Sequence, residues 1–88
     1  MLMDSQNRLK RLRYRSWHRG CKETDIILGH FADTRLEQLD PPLLDAYERL
    51  LDEDDADIWA WLIEKTAPTS PDYLPLMTIL RAHGLPVE

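Results

Sequence analysis

Nowhere in this chain do apolar and polar residues alternate for long enough to build a strand; the apolar positions recur three and four residues apart instead. The clearest run follows Asp40-Pro41, where Leu43, Leu44, Tyr47, Leu50 and Leu51 trace one face of a helix. Aspartate before a proline is a natural helix start: the carboxylate suits the cap, and the proline gives up a donor that has no partner there. Four further segments read the same way. Residues 5–18 place Leu9, Leu12 and Trp17 on a narrow stripe among arginines, and Gly20 breaks the pattern. Residues 22–34 carry Ile27 and Phe31 on one face, widened by Ile26 and Leu28, with Glu23 and Asp25 near the positive end of the helix dipole. In 55–65, Ile58, Trp61 and Leu62 form an inner face, while Trp59 and Ile63 point elsewhere. Asp72 is placed to cap a last helix over 73–83, with Tyr73, Met77 and Leu80 inward and Gly84 and Pro86 at its end. The third helix spans 41–52. The expected fold is therefore all-α, a five-helix bundle forming one domain over residues 1–88.

Size and composition set limits on this bundle. An 88-residue chain has room for one thin core, and helices this short depend on packing their apolar stripes rather than on intrinsic propensity. No apolar run approaches the roughly 20 residues a membrane helix needs, so no membrane insertion is expected. The single cysteine, Cys21, makes an internal disulfide impossible and fits a reducing compartment. The Arg-rich opening has the composition of a mitochondrial presequence but runs straight into the folded domain. A bacterial cytoplasm is thus the expected location, with the mitochondrial matrix as the alternative.

Charge is distributed unevenly. Residues 1–22 hold seven basic groups against one acid, and the remaining 66 residues hold four basic groups against fifteen acids. Such a chain either folds its basic helix back onto its own acids or meets a polarised partner. A nucleic-acid binder using the basic helix is one reading, but the acidic remainder repels a long polyanion, so no nucleic-acid partner is expected.

Catalytic and metal constellations are thin. His18, His30 and His83 lie on separate segments, and one cysteine cannot furnish a zinc site. Gly20, Gly29 and Gly84 are isolated, so no phosphate loop is present, and no serine has a His/Asp set beside it. The acidic run 52–57 lacks the glycine and closing glutamate of a calcium loop and reads as a solvated turn. No catalytic residue, metal ligand or tightly held cofactor is expected, and the chain is not expected to be an enzyme.

What remains is the stretch from Arg15 to Asp25. Gly20 allows a sharp turn and a close approach to bare backbone; Arg19 offers a planar five-donor fork; Glu23 and Asp25 supply carboxylates beside it. Trp17, His18 and Arg15 complete a candidate partner-binding patch. Each residue also has a purely structural use: Gly20 as a helix stop, Arg19 against the first helix's negative end, the two acids against the next helix's positive end, and Trp17 as core.

Arg19-Gly20-x-x-Glu23-x-Asp25, following a basic helix, resembles the R-G-x-x-E-x-D signature of the succinate dehydrogenase assembly factor family, the SdhE-type flavinators, whose mitochondrial relatives are called succinate dehydrogenase assembly factor 2. The likeness continues through Ile26 to Phe31 and through Asp55-Ala56-Asp57-Ile58-Trp59-Ala60-Trp61-Leu62, which is similar to the family's D-x-D-[IL]-x-x-W segment. It implies a five-helix bundle that acts as an assembly chaperone, monomeric when free. The expected partner is the flavoprotein subunit of succinate dehydrogenase or fumarate reductase, which the chaperone helps acquire covalent FAD. The FAD belongs to that client. Arg19, Gly20, Glu23 and Asp25 would then lie on the contact surface. An antitoxin-like protein-binding module has similar sequence demands and is the other reading. Two positions depart from the pattern. Cys21 stands where a small residue is commoner, and Ile63-Glu64-Lys65 fills a stretch where the family often has a glycine, which leaves the shape of that loop open.

Overall fold

Each apolar stripe becomes a helix, and the helices turn those stripes toward one another. A computed structural model describes residues 2–83. Helix α1 spans Leu2–Trp17, α2 Lys22–Arg35, α3 Pro41–Leu50, α4 Asp55–Leu62 and α5 Leu74–His83, with short 3-10 turns at Leu36–Gln38 and Pro71–Tyr73. No strand occurs among the described residues, so the chain is an all-α single-domain bundle of five helices.

One core serves all five. Leu12 enters it from α1, Leu28 and Phe31 from α2, Tyr47 and Leu50 from α3, Ile58 and Trp61 from α4, and Leu76, Met77 and Leu80 from α5. Tyr47 is its hub. The ring packs 5.7 Å from that of Phe31, and its buried hydroxyl lies 2.6 Å from Ser16 Oγ and 3.2 Å from the carbonyl of Leu28. Ser16 is itself fully buried and 2.7 Å from the Leu12 carbonyl. Two hydroxyl protons thus serve a chain of acceptors linking α1, α2 and α3, and no buried side-chain polar atom is left without a partner among the described residues. Burial pushes the Tyr47 hydroxyl far above its ordinary range.

Helices α1 and α2 meet where a side chain is missing. The Trp17 indole lies across Gly29, where any Cβ would collide with the ring, and its N–H donates to Asp33 at 3.1 Å. Gly29 is a packing glycine rather than a break.

Helix ends differ from the sequence expectation: α1 begins at Leu2 rather than at residue 5, α3 ends at Leu50 rather than at 52, and the differences with a visible cause are at α4 and before α5. Helix α4 stops at Leu62 rather than continuing to residue 65, because Lys65 turns to a left-handed φ of 59°. The Thr66 amide then reaches back to the Ala60 carbonyl at 3.1 Å. Lys65 thus takes the conformation that a glycine supplies without strain. Asp72 does not cap the fifth helix: it lies inside the Pro71–Tyr73 turn that leads into α5, and that turn is capped by Ser70, whose hydroxyl accepts from the Asp72 amide at 3.3 Å. Asp40 precedes α3 as expected but makes no side-chain cap bond, since Pro41 and Pro42 offer it no amide at the first two positions. The expected stop at Gly84 and Pro86 lies outside the described residues.

Helices α2 and α5 are joined at one end by two histidines, with His30 Nδ1 3.0 Å from His83 Nε2. Phe31 packs edge-on to His83. Burial, then His30, then Arg35, lower the His83 pKa below its ordinary value.

Two predictions follow from these contacts. Lys65→Gly relieves a left-handed lysine at roughly 1–2 kcal/mol and costs about 0.5–1 kcal/mol in unfolded-chain entropy, so its thermal midpoint rises by a few degrees. Because His83 has a depressed folded pKa, the unfolded chain binds its proton first; the stability it contributes is present above about pH 6.5 and lost as pH falls through the folded value. Thermal unfolding followed from pH 7 to about 5.5, above most carboxylate titration, should therefore show a decline that is reduced in His83→Gln.

Candidate functional site

Helix α1 ends at Trp17 and α2 begins at Lys22, so four residues must reverse the chain. Gly20 makes this possible with a φ of 103°, a conformation that strains any L side chain. Space is not the obstacle, since a Cβ at Gly20 would meet nothing within 4 Å. The backbone there is exposed.

Arg19 does the opposite of what its place in the turn suggests. Its side chain is only 8% exposed, and the guanidinium turns inward against the α3–α4 connection. Nε donates to Asp55 Oδ1 at 2.7 Å, Nη1 donates to the Leu51 carbonyl at 2.6 Å, and Nη2 donates to the Glu53 carbonyl. The expected outward fork is corrected: those donors already have acceptors within the bundle. Asp55 Oδ1 also accepts from Thr24 Oγ1 at 2.9 Å, and Thr24 is fully buried. The acidic run is accordingly more than a solvated turn, because its carbonyls and one of its carboxylates receive the arginine.

Asp25 completes the clamp from the other side. Its carboxylate accepts the backbone N–H of Arg19 at 2.7 Å, so an acid in the first turn of α2 reaches back past the helix start, in the manner of a capping box. Cys21 occupies the cap position but makes no side-chain cap bond there. Of the four signature residues, Arg19 and Asp25 hold the turn together. Gly20 and Glu23 face solvent.

The three remaining candidates lie along the end of α1. The ring of exposed His18 packs at a tilt, 4.2 Å between centroids, against that of Tyr14, which is 66% exposed. Arg15 pairs with Asp52 at 2.6 Å on the surface. Trp17, 37% exposed, lies on α2 over Gly29 and donates to Asp33 rather than to a member of the Arg19 clamp. Sequence reasoning missed Thr24, the Leu51 and Glu53 carbonyls and the double use of Asp55. An arginine in one turn and an acid-rich connection elsewhere were the only signal, and spacing does not reveal that they touch.

Two clefts flank the junction and share Asp55. One is polar, bounded by Tyr14, Arg15, His18 and Arg19 on one side and residues 51–55 on the other. The second, of about 630 Å³, runs between the start of α2 and α4; Ala56 and Trp59 form its apolar wall, with Glu23, Asp55 and Glu64 around it. No group of three or more His, Cys, Asp and Glu is arranged to hold a metal among the described residues.

Fold and site together define a small helical protein whose most organised polar feature is a clamped helix junction rather than a converging acid–base or ligand set. The chain belongs to the family described as flavinator of succinate dehydrogenase, whose model matches residues 10–84. Curated relatives agree. A protein of Schizosaccharomyces pombe, named succinate dehydrogenase assembly factor 2, mitochondrial, is 44% identical over 61 residues, covering 68% of this chain and 44% of its own length. Proteins of the same name from Kluyveromyces lactis and Cryptococcus neoformans are 40% and 36% identical, covering 81% and 92% of this chain and 44% and 47% of their own lengths. The chain thus spans less than half the length of these relatives. No solved structure gives a significant match. These relatives overturn one expectation: each is named as mitochondrial and comes from a fungus, so the comparisons point to the mitochondrion rather than to a bacterial cytoplasm.

The clamp makes a sharp prediction. Arg19→Ala leaves the half-buried Asp55 carboxylate and two carbonyls without their arginine donor, at a cost of about 2–3 kcal/mol and on the order of 10 °C in thermal midpoint. Arg19→Lys should recover little, because a point ammonium cannot span three acceptors set for a planar fork. Equal melting of wild type and Arg19→Ala would show that the clamp is not holding the junction.

Proposed function

We propose that this chain is a non-catalytic assembly chaperone that binds the flavoprotein subunit of succinate dehydrogenase and promotes covalent attachment of FAD to it. Family membership supports the assembly role. The observation that carries the docking face is the clamped junction: Arg19 and Asp25 fix the turn from within, and that turn offers Gly20 and Glu23 to solvent. A surface fixed before contact loses little entropy on binding. Gly20 lets a client surface come to within backbone distance, and Glu23 adds an ionised acceptor beside it.

FAD stays with the client in this reading. The apolar cleft beside the junction is ringed by carboxylates, which repel a pyrophosphate, and the arginine nearest to it is already spent on Asp55 and two carbonyls. What the chaperone contributes is position, holding client elements so that the flavin and its acceptor side chain meet in reacting geometry. The nucleic-acid reading loses ground to the same pattern of pairing. Arg8 binds Asp45 and Glu48, Arg13 binds Glu37, and Arg15 binds Asp52, so much of the basic helix answers the protein's own acids.

Co-expression with the flavoprotein subunit, scoring covalent flavin by fluorescence of the denatured subunit band, tests the proposal. Wild type should raise the signal. Glu23→Ala should lower both client capture and covalent flavin, by about tenfold for a lost charge-assisted contact, with the thermal midpoint nearly unchanged. A client band equally fluorescent with and without this chain would sink the proposal; a collapsed melting temperature in Glu23→Ala would make Glu23 structural instead.

A further inference from the structure

We infer that the cleft between the start of α2 and α4 receives a basic side chain, arginine or lysine, carried on an apolar segment of the client; this rests on the reading of the chain as a client-binding chaperone. The cleft has two kinds of wall. Ala56 and half-buried Trp59 make its surface mostly apolar, and Trp59 is held in place by packing on the core. Glu23 and Glu64, both exposed, stand on it without an ion pair among the described residues. Glu37, Asp45, Glu48, Asp52, Asp55 and Asp72 are matched to arginines, whereas Glu23 and Glu64 are among the acids that are not, and these two share one cleft. The third carboxylate, Asp55, already faces Arg19 from behind. Among the described residues no basic one lines the cleft.

An indole and two carboxylates without ion pairs lining one cleft is the chemistry that recognises a guanidinium or an ammonium: the acids attract the cation, and an aromatic wall suits its flat or apolar parts. The apolar wall asks for more than a bare cation, since burying it needs methylenes or apolar neighbours on the incoming segment. A negatively charged or purely apolar segment is disfavoured, the first by repulsion and the second by leaving Glu23 and Glu64 desolvated without a partner. Glu64 lines the cleft from just past the end of α4, beside the left-handed Lys65. The cleft and the Gly20 turn are contiguous through Cys21 and Glu23, so a client seated on the turn has its next few residues over Trp59.

Two measurements on the full chain test this. In the first, nitrogen-15-labelled protein is titrated at low salt with acetyl-Leu-Arg-Leu-amide and, separately, with acetyl-Leu-Glu-Leu-amide. The arginine peptide should move the Trp59 indole and Glu23 amide signals, and the glutamate peptide should not; equal shifts, or none, overturn the inference. The second compares client capture by wild type, Glu64→Lys and Asp57→Lys. Asp57 is an exposed acid of α4 outside the cleft. Lysine at position 64 sits at the negative end of α4, so folding is not threatened. Glu64→Lys should weaken capture about tenfold or more, against little change for Asp57→Lys. Capture by wild type with no loss in Glu64→Lys overturns the cleft and leaves the chaperone reading standing. Failure of wild type to capture the client while the arginine peptide still binds at Trp59 removes the chaperone reading and keeps the cleft's preference. Self-association of wild type that Glu64→Lys abolishes would assign the cleft to a second copy of this chain and overturn the inference as stated.

Discussion

The guanidinium of Arg19 sits where three helix ends converge, and each end contributes the sign of charge it needs. The carbonyls of Leu51 and Glu53 lie just past the end of α3, the negative pole of its dipole; Asp55 opens α4 and Asp25 lies in the first turn of α2, both at positive poles. A buried arginine is tolerated because each of its three guanidinium nitrogens meets an acceptor, and because one of those acceptors is ionised. The α1–α2 turn is thereby fastened to the α3–α4 connection, two segments about 35 residues apart in sequence. Leu51 is the one residue of the two connections in the buried core among the described residues, so polar ties hold them: this clamp, the Arg15–Asp52 pair, and a 2.8 Å bond from the Tyr73 hydroxyl to Glu53.

The same logic extends outward along α1. Its arginines do not form a free positive face. Arg8, Arg13 and Arg15 each reach a carboxylate on α3, on the Leu36–Gln38 turn or on the α3–α4 connection. Individually such surface pairs are weak, worth about 0–1 kcal/mol. Their collective effect is on orientation, because a helix with arginines along its length finds complementary charge only when lying along the acidic side of the bundle. The charge asymmetry of the sequence is therefore largely an internal matter, and the acids left unmatched become the informative ones. Glu23 and Glu64 are two of these, on the same cleft.

Helices were legible in the sequence because periodic burial is a local property: Ile27 with Phe31, Tyr47 with Leu50 and Ile58 with Trp61 announce their faces by spacing alone. The features that escaped are those set by a contact distant in sequence or by backbone torsion. Gly29 carries no mark distinguishing a seat for Trp17 from a weak spot in a helix. Ser16 reads as a polar interruption of the first stripe until Tyr47 is found opposite it. Lys65 adopts a left-handed turn although nothing about lysine favours it, so the end of α4 was expected three residues too late. Arg19 is the instructive case. Its neighbours on the chain are exposed, its chemistry suits a docking face, and only the fold shows that its acceptors lie within the bundle.

A signature such as Arg19-Gly20-x-x-Glu23-x-Asp25 is easily taken as a list of contact residues, yet its members have two different relations to the surface. Arg19 and Asp25 act on the turn itself, one through its guanidinium and the other by receiving the Arg19 amide. Gly20 accepts the torsion that this double attachment imposes, and its missing side chain leaves open space above the turn. Among the described residues the Glu23 side chain has no bond beyond a 3.4 Å contact with the Cys21 thiol. Rigidity and display are thus divided between alternate positions of one short segment. A turn that must meet another protein in a fixed shape needs both: a flexible Gly20 loop would have to be ordered at the moment of contact, and the clamp has already met that cost during folding.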